Sequence, residues 1–261
     1  AEIDVKKVAF ERFSNSGGLY DLEQIASIPI AQFFLPKTSE NTTKLVTDSD
    51  FRSFWSGERR FEGQPAGETF RISTQKKFFH WFLEFPGVME RGGFDCILGN
   101  PPYLGNRAIS GIYGDAFLHW VKFAFAPAAA VDLVTYFLRR IYALLSKSGT
   151  LGIISTNTII QGAAREGGLD VISDQGGGIH FAVRSSRWPG RAAVSVTLLG
   201  VHKNGWEKVR ILDGQPVKYI STYLEPNAPA TPPLPLAENA DKSFQGSIIL
   251  GLGFLLGSNE I

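Results

Sequence analysis

FDCILGNPPY, residues Phe94–Tyr103, is the stretch that decides the fold of this chain. It begins with a short apolar run that Gly99 closes, a pattern typical of a buried parallel strand. Cys96 alternates with the apolar residues of this strand and is expected in the core. A loop that two prolines stiffen, Asn100–Tyr103, follows directly. Because open α/β sheets bind ligands just outside the carboxyl ends of their strands, this loop is the first candidate for a functional site.

The sequence after the loop alternates between helical and extended patterns. Apolar residues recur at helical spacing in 116–125 and more regularly in 131–145, where Asp132 is expected to start the helix. Extended runs follow at 151–155, 179–184 and 192–201, with a short one at 208–212. This rhythm predicts an α/β fold with a doubly wound, Rossmann-like sheet and crossover helices.

The sequence before the loop carries weaker signals. Apolar spacing predicts a helix over 21–34 and a short one over 50–55, and composition predicts a loop over 57–67. The aromatic, partly alternating segment KKFFHWFLEF (76–85) favours a strand.

Composition bounds the class of protein. The chain has 261 residues, 26 basic and 25 acidic, with a formal net charge of +1, so any surface that binds phosphates must be local. One cysteine suits a reducing cytoplasm, and the four scattered histidines have no zinc-ligand spacing, so no metal is expected. The chain begins without a signal-peptide pattern, and no apolar run approaches the ~18 residues that span a membrane.

The loop has a composition that suits chemistry on an exocyclic amine. The side-chain oxygen of Asn100 and the carbonyl of Pro101 can both accept hydrogen bonds from an NH2 group, which localises the nitrogen lone pair for attack on an electrophilic methyl group. Pro102 stiffens the loop, and Tyr103 offers a flat face on which a planar group can stack. We therefore predict Asn100, Pro101, Pro102 and Tyr103 as the catalytic residues.

This loop resembles motif IV of the S-adenosylmethionine-dependent amino-methyltransferases. The similarity extends to FHWFLEFPGVMERGGFDCILGNPPY (79–103), VDLVTYFLRRIYALLSKSGTLGIISTN (131–157), GGIHFAVRSSRWPGRAAVSVTLLGVHK (177–203) and SFQGSIILGLGFLL (243–256). These stretches resemble the large single-chain restriction–modification adenine methylases of the type IIG/IIL, MmeI-like kind. The resemblance implies methyl transfer to the exocyclic amine of an adenine in a specific site of double-stranded DNA, with S-adenosylmethionine as the cofactor.

The resemblance also implies base flipping, in which the target adenine leaves the duplex. Trp188 falls where such enzymes place an aromatic residue before a proline, so Tyr103 and Trp188 are expected to stack on the extruded base. Four basic residues around this tryptophan are candidate phosphate contacts: Arg184, Arg187, Arg191 and Lys203.

In one respect the sequence departs from the family pattern. The Phe-x-Gly-x-Gly loop that binds the cofactor after the first strand is not found, since neither Ser16–Leu19 nor Gly251–Phe254 has that form. We therefore expect the sheet to end at the FDCIL strand, with an exposed edge and an open face. We also expect the remainder of a parent polypeptide to act as a partner, and this segment alone to be inactive.

Resemblance and composition together divide the chain. Residues 1–75 lead into the catalytic domain, 76–224 form the catalytic core, 225–235 a proline-rich linker, and 236–261 the start of a target-recognition domain. Two alternatives stay open. A protein-glutamine or ribosomal-RNA guanine amino-methyltransferase shares the Asn-Pro-Pro-aromatic loop, and a non-catalytic DNA-specificity or scaffold segment can retain it.

Overall fold

The computed structural model describes residues 5, 8, 17–128, 131–188 and 195–227. The chain divides into Ala1–Ala228 and Pro229–Ile261, and the second unit lies outside the described residues. The predicted recognition domain and most of the predicted linker therefore also lie outside them. No helix of the described residues is long and apolar enough to cross a bilayer.

From residue 17 onward, the described chain has five helices before the first strand. They are α1 (Gly17–Phe34), α2 (Asp48–Trp55), α3 (Gly63–Lys76), α4 (Trp81–Glu84) and α5 (Pro86–Glu90), with a 3-10 turn at Ser39–Lys44. The predicted helices over 21–34 and 50–55 are confirmed, whereas the predicted loop over 57–67 is shorter, because α3 begins at Gly63. Buried Ala31, Leu35 and Ile72 join α1 to α3.

The predicted strand over 76–85 is wrong. Lys77 ends α3 in a left-handed conformation with φ 54°, and two short helices follow. The aromatic rings of this segment pack on one another: Trp81 lies 5.8 Å from Phe85, and Phe85 lies 5.3 Å from Phe94 of the first strand. The partly alternating aromatic residues of this segment therefore form a cluster of rings and do not mark the two faces of a strand.

A six-stranded mixed sheet forms the centre of the described chain. Its strands are β1 (Phe94–Gly99), β2 (Leu145–Thr156), β3 (Gly178–Arg187), β4 (Ser195–His202), β5 (Arg210–Leu212) and β6 (Gln215–Val217). The order is β1-β2-β4-β3-β5-β6, in which β1 runs parallel to β2 while β4 is antiparallel to both β2 and β3. The predicted α/β class is confirmed, and β1 is an edge of the described sheet, as expected.

Helices connect and cover the strands. Between β1 and β2 lie α6 (Asn106–Tyr113), α7 (Asp115–Ala124) and α8 (Leu133–Leu144), and between β2 and β3 lie α9 (Gly162–Arg165), a π turn at Glu166–Asp170 and α10 (Val171–Asp174). The predicted helix over 131–145 is confirmed as α8. Its buried Val134, Leu138 and Ile141 pack against Leu151 and Leu199 of the sheet in the main core. Burial of such side chains stabilises the fold by about 1.5–3 kcal/mol each.

Two predictions about β1 are wrong. The strand is parallel as predicted, but it is not buried, and Cys96 is exposed instead of lying in the core. Leu98 is 77% exposed. The strand is exposed because it pairs on one side only within the described sheet. Beside it lies an open apolar groove of about 530 Å³, lined by Leu98, Gly152, Phe181 and Leu199.

Candidate active site

The Asn100–Tyr103 loop lies where two parallel strands end side by side. Gly99, the last residue of β1, pairs with Ile153 of β2, so Asn100 and the residues that follow Thr156 emerge at one edge of the sheet. We call this the carboxyl edge. Polar groups at such an edge can converge on one ligand, because neighbouring parallel strands deliver their following loops to the same place.

Asn100 presents its amide to solvent. The residue is exposed, and its side-chain oxygen accepts a hydrogen bond of 2.6 Å from the Tyr103 hydroxyl. An amide oxygen has two lone pairs, so one acceptor position of Oδ1 is left for a second donor. The hydrogen bond ties the Asn100 amide to the Tyr103 side chain.

The carbonyl of Pro101 is a second acceptor. Pro101 is buried, yet across the described ranges no backbone or side-chain donor reaches its carbonyl oxygen. Proline has no N–H, and the following Pro102 has none either, so neither residue places a main-chain donor beside these acceptors. The loop therefore offers two oxygen acceptors, one from a side chain and one from the main chain.

Tyr103 remains a neutral hydrogen-bond donor in this loop. Burial raises the pKa of its hydroxyl, and the charge of Asp132 raises that pKa further. Tyr103 is 37% exposed, so part of the residue packs against the protein while another part is accessible. A phenol that keeps its proton can hold Asn100 and still present a ring to a planar ligand.

The residue after Tyr103 fastens the loop to α8. The backbone N–H of Leu133 donates to the carbonyl of Leu104 at 2.9 Å. The carboxylate of Asp132 accepts from the backbone N–H of Leu104 at 3.2 Å and from that of Val134 at 3.0 Å. Asp132 is the N-cap of α8, which confirms the predicted helix-starting role.

Asn157 is a polar residue of this edge that sequence reasoning missed. It follows β2 directly, donates to the Ser185 hydroxyl at 2.9 Å and accepts from the Thr197 hydroxyl at 2.8 Å. These bonds join the ends of β2, β3 and β4. Its position offered a signal, since an asparagine after an apolar strand is the same pattern that singled out Asn100.

The predicted base-stacking and phosphate-contact residues divide between the two ends of the sheet. Trp188 is half-buried and follows β3, whose Arg187 pairs with Ser195 while Val196 pairs with Thr156, so Trp188 emerges at the carboxyl edge. Exposed Arg187 lies at the same edge. Arg191 lies outside the described residues.

The side chains of Arg184 and Lys203 both bind other groups of the protein. Arg184 forms ion pairs with Asp213 and Glu225, which raise its pKa despite desolvation. Lys203 lies at the opposite end of the sheet, where its amine donates to the carbonyls of Ala143 and Leu145. The structure thus places Tyr103, Trp188 and Arg187 at one edge but does not bring Lys203 to it. All these roles stay predictions.

The described residues do not fit a binding site for S-adenosylmethionine. Gly17, Gly18 and Leu19 are the first residues of α1 and follow no described strand, while Gly251–Phe254 lies outside the described residues. The groove beside β1 is apolar and has no glycine-rich turn at a helix start. No cluster of three metal-ligating side chains occurs in the described ranges.

Comparison with known proteins identifies the family of the chain. The sequence model of the Eco57I restriction-modification methylase family matches residues 3–171, more than half of the chain. The chain belongs to this family, which confirms the predicted membership in the restriction–modification methylases.

Solved structures show more distant likeness. The type IIL restriction-modification enzyme MmeI, solved in complex with DNA, is 20% identical over 62% of this chain with a TM-score of 0.43. A modification subunit assigned to a type I restriction enzyme of Vibrio vulnificus YJ016 is 13% identical over 60% of the chain with a TM-score of 0.32. The chain spans 26% and 39% of these two proteins, respectively. No curated protein sequence matches it.

Proposed function

We propose that this chain carries the amine-binding part of a site-specific DNA adenine methyltransferase that uses S-adenosylmethionine within a restriction–modification system. One observation carries the proposal: at the carboxyl edge, Asn100 Oδ1 and the Pro101 carbonyl are both available acceptors in a loop stiffened by two prolines. Family membership supports the reaction class. The proposal includes a cytoplasmic site of action, where intracellular DNA is accessible.

Two acceptors prepare an aromatic amine for reaction. The lone pair of such an amine is delocalised into the ring, which makes the nitrogen a poor nucleophile. Hydrogen bonds from its two N–H groups to Asn100 and Pro101 favour a tetrahedral nitrogen whose lone pair points away from the loop. S-adenosylmethionine, when bound, would supply the electrophilic methyl group.

The base has to leave the duplex to reach this loop. Extrusion costs a few kcal/mol. The partly exposed ring of Tyr103 lies beside the acceptors, and stacking on aromatic side chains offsets about 1–3 kcal/mol per base. Trp188, at the same edge, is proposed as the second stacking residue, and Arg187 as a phosphate contact.

The test measures methyl transfer by the full-length protein. Labelled S-adenosylmethionine is supplied with duplex DNA, ribosomal RNA or a glutamine-containing protein, and the modified product is identified by mass spectrometry. We expect N6-methyladenine in DNA alone. Label in RNA or protein, with none in DNA, would support the alternative amino-methyltransferases instead.

Asn100→Ala links the activity to the loop. Loss of one aimed hydrogen-bonding partner costs about 10²–10³ in rate. The matched control is Asn204→Ala, because Asn204 is likewise exposed but lies just beyond β4, at the opposite end of the sheet. We expect DNA binding to persist in both variants. Unchanged methylation by Asn100→Ala would favour the non-catalytic scaffold.

A further inference from the structure

The residue that follows the acceptor loop (Asn100–Tyr103) makes a reciprocal set of hydrogen bonds with the start of α8, which we call the Leu104 clasp. Leu104 donates its N–H to the Asp132 carboxylate and accepts at its carbonyl from Leu133 N–H. The same Asp132 oxygen also accepts from Val134 N–H in the first turn of α8. One carboxylate oxygen therefore joins the loop to a helix that is packed into the main core.

On the proposed function, we infer that Asp132 is a positioning residue for methyl transfer, because it aims Asn100 and Tyr103 by fixing the end of their loop. The loop starts at β1, whose register with β2 holds Asn100. It ends at Leu104, which is fastened by the clasp and packs against the buried cluster that contains Leu133. Only four residues lie between the end of β1 and Leu104, and two of them are prolines. Fixing Leu104 therefore restricts the conformations in which the loop can hold its two acceptor oxygens.

Two properties of Asp132 can be separated experimentally. The hydrogen bonds need an acceptor oxygen, which asparagine also has. The negative charge, which adds to the effect of burial in raising the pKa of Tyr103, is lost in asparagine. Serine can cap a helix, but its side chain is one atom shorter and cannot serve both Leu104 and Val134 as the carboxylate does. Asp132→Asn, Asp132→Ser and Asp132→Ala therefore test the clasp, the cap and the charge separately.

The experiment compares these variants in the full-length protein. We expect Asp132→Ala and Asp132→Ser to lower kcat about tenfold to a hundredfold, because a misplacement of about 1 Å can cost 10² in rate. The KM for DNA should change little, and Asp132→Asn should restore most of kcat. Asp132→Ser should recover the melting temperature that Asp132→Ala loses, since it keeps a helix cap.

Thr47→Ala is the matched control for a lost cap. Thr47 caps α2 through a capping box and lies outside the acceptor loop. It should lower the melting temperature about as much as Asp132→Ala while leaving kcat unchanged. A wild-type kcat in Asp132→Ser, or equal losses of kcat in Asp132→Ala and Thr47→Ala, would overturn the inference.

Hydrogen exchange tests the clasp without any substrate. In Asp132→Ala, the peptide that contains the Leu104 amide should exchange faster than in the wild type, and in Asp132→Asn it should exchange at nearly the wild-type rate. Unchanged exchange in Asp132→Ala would refute the clasp. If the wild type methylated none of the three substrates, the proposed function would fail while this measurement still decided the role of Asp132 in holding the loop.

Discussion

The two ends of the sheet differ in how the acceptor loop (Asn100–Tyr103) and the residues around Lys203 use their polar groups. At the carboxyl edge, the Pro101 carbonyl has no donor among the described residues, and Asn100 faces solvent. At the opposite end, the Lys203 amine donates to two main-chain carbonyls. The Tyr142 hydroxyl shares its one proton between the carbonyls of Lys203 and Gln175, at 2.8 and 3.2 Å. The carboxyl edge thus leaves two acceptor oxygens available to a ligand, whereas the Lys203 amine and the Tyr142 hydroxyl at the opposite end are hydrogen-bonded within the protein.

This difference separates function from stability. Protein polar groups that are satisfied internally stabilise the fold but cannot also recognise a ligand, whereas rigid groups with open positions can. Substitutions at the carboxyl edge should therefore change methyl transfer more than stability. Substitutions at the opposite end should do the reverse.

Gly93→Ala should give the largest effect on stability. Gly93 precedes β1 with φ 121°, and a Cβ atom there would lie 2.4 Å from the Leu144 carbonyl oxygen and 2.8 Å from Ser146 N. Both neighbours are main chain and cannot move aside, so we expect a loss of about 3 kcal/mol or more in the free energy of unfolding. Urea unfolding followed by tryptophan fluorescence measures it.

Gly92→Ala is the control for backbone strain. Gly92 has φ 93°, but a Cβ atom there would meet nothing within 4 Å. The substitution should lower the free energy of unfolding by about 1–3 kcal/mol, because alanine is strained at this φ. Equal losses in the two variants would show that the close approach to α8 and β2 contributes nothing.

Tyr103 separates stacking from hydrogen bonding at the carboxyl edge. Tyr103→Phe removes only the bond to Asn100, so the rate of methyl transfer should fall by no more than about tenfold. Tyr103→Ala also removes the ring and should cost a further tenfold to hundredfold, equivalent to about 1–3 kcal/mol of stacking. Single-turnover kinetics on DNA measure both. Identical rates for the two variants would remove the stacking role.

Lys203→Met tests the opposite end directly. It leaves the carbonyls of Ala143 and Leu145 without this donor, so the free energy of unfolding should fall by about 1–2 kcal/mol. Lys147→Met is the control, since Lys147 is exposed on β2. If Lys203 is a phosphate contact, its loss should also reduce the salt dependence of DNA binding by about one charge. An unchanged salt dependence would contradict the predicted phosphate contact.

Acidification should give the smallest effect. His80 is buried with its Nε2 2.9 Å from the Ser27 hydroxyl, and desolvation lowers its pKa below the ordinary 6.5, against the opposing charge of Glu84. The unfolded chain then binds the proton first, so this contribution to stability is complete above pH 6.5 and is lost as the pH falls through the lowered value. Urea midpoints between pH 7 and 5 should decline less in His80→Gln. Burial also lowers the pKa of His180, so part of the decline in the urea midpoint should remain in His80→Gln.

The sequence was informative where a local pattern is also the structural cause. Helix α8 was predictable because its apolar stripe is the face that packs on the sheet. The loop over Asn100–Tyr103 could be proposed from sequence because its two acceptors and its aromatic ring belong to four consecutive residues, and its catalytic role stays a prediction. The segment over 76–85 was not, because its rings pack on each other and on Phe94.

Contacts between distant residues were beyond sequence reasoning. Arg184 stays a predicted phosphate contact, and its partners within the protein, Asp213 and Glu225, lie 29 and 41 residues away in the sequence, too far for a local pattern to indicate them. The bond from Leu104 to Asp132 spans 28 residues, so sequence alone indicated a helix cap but no link to the loop. The exposure of Cys96 likewise depends on what lies beside β1, which its alternating pattern cannot encode.

The unpaired side of β1 has a consequence for handling the chain in solution. Within the described sheet, β1 has β2 as its one neighbour, and Leu98 stands 77% exposed next to an apolar face. Free strand edges recruit other strands through main-chain hydrogen bonds. Preparations of this segment on its own should therefore self-associate as concentration rises, and light scattering over a dilution series would reveal the onset.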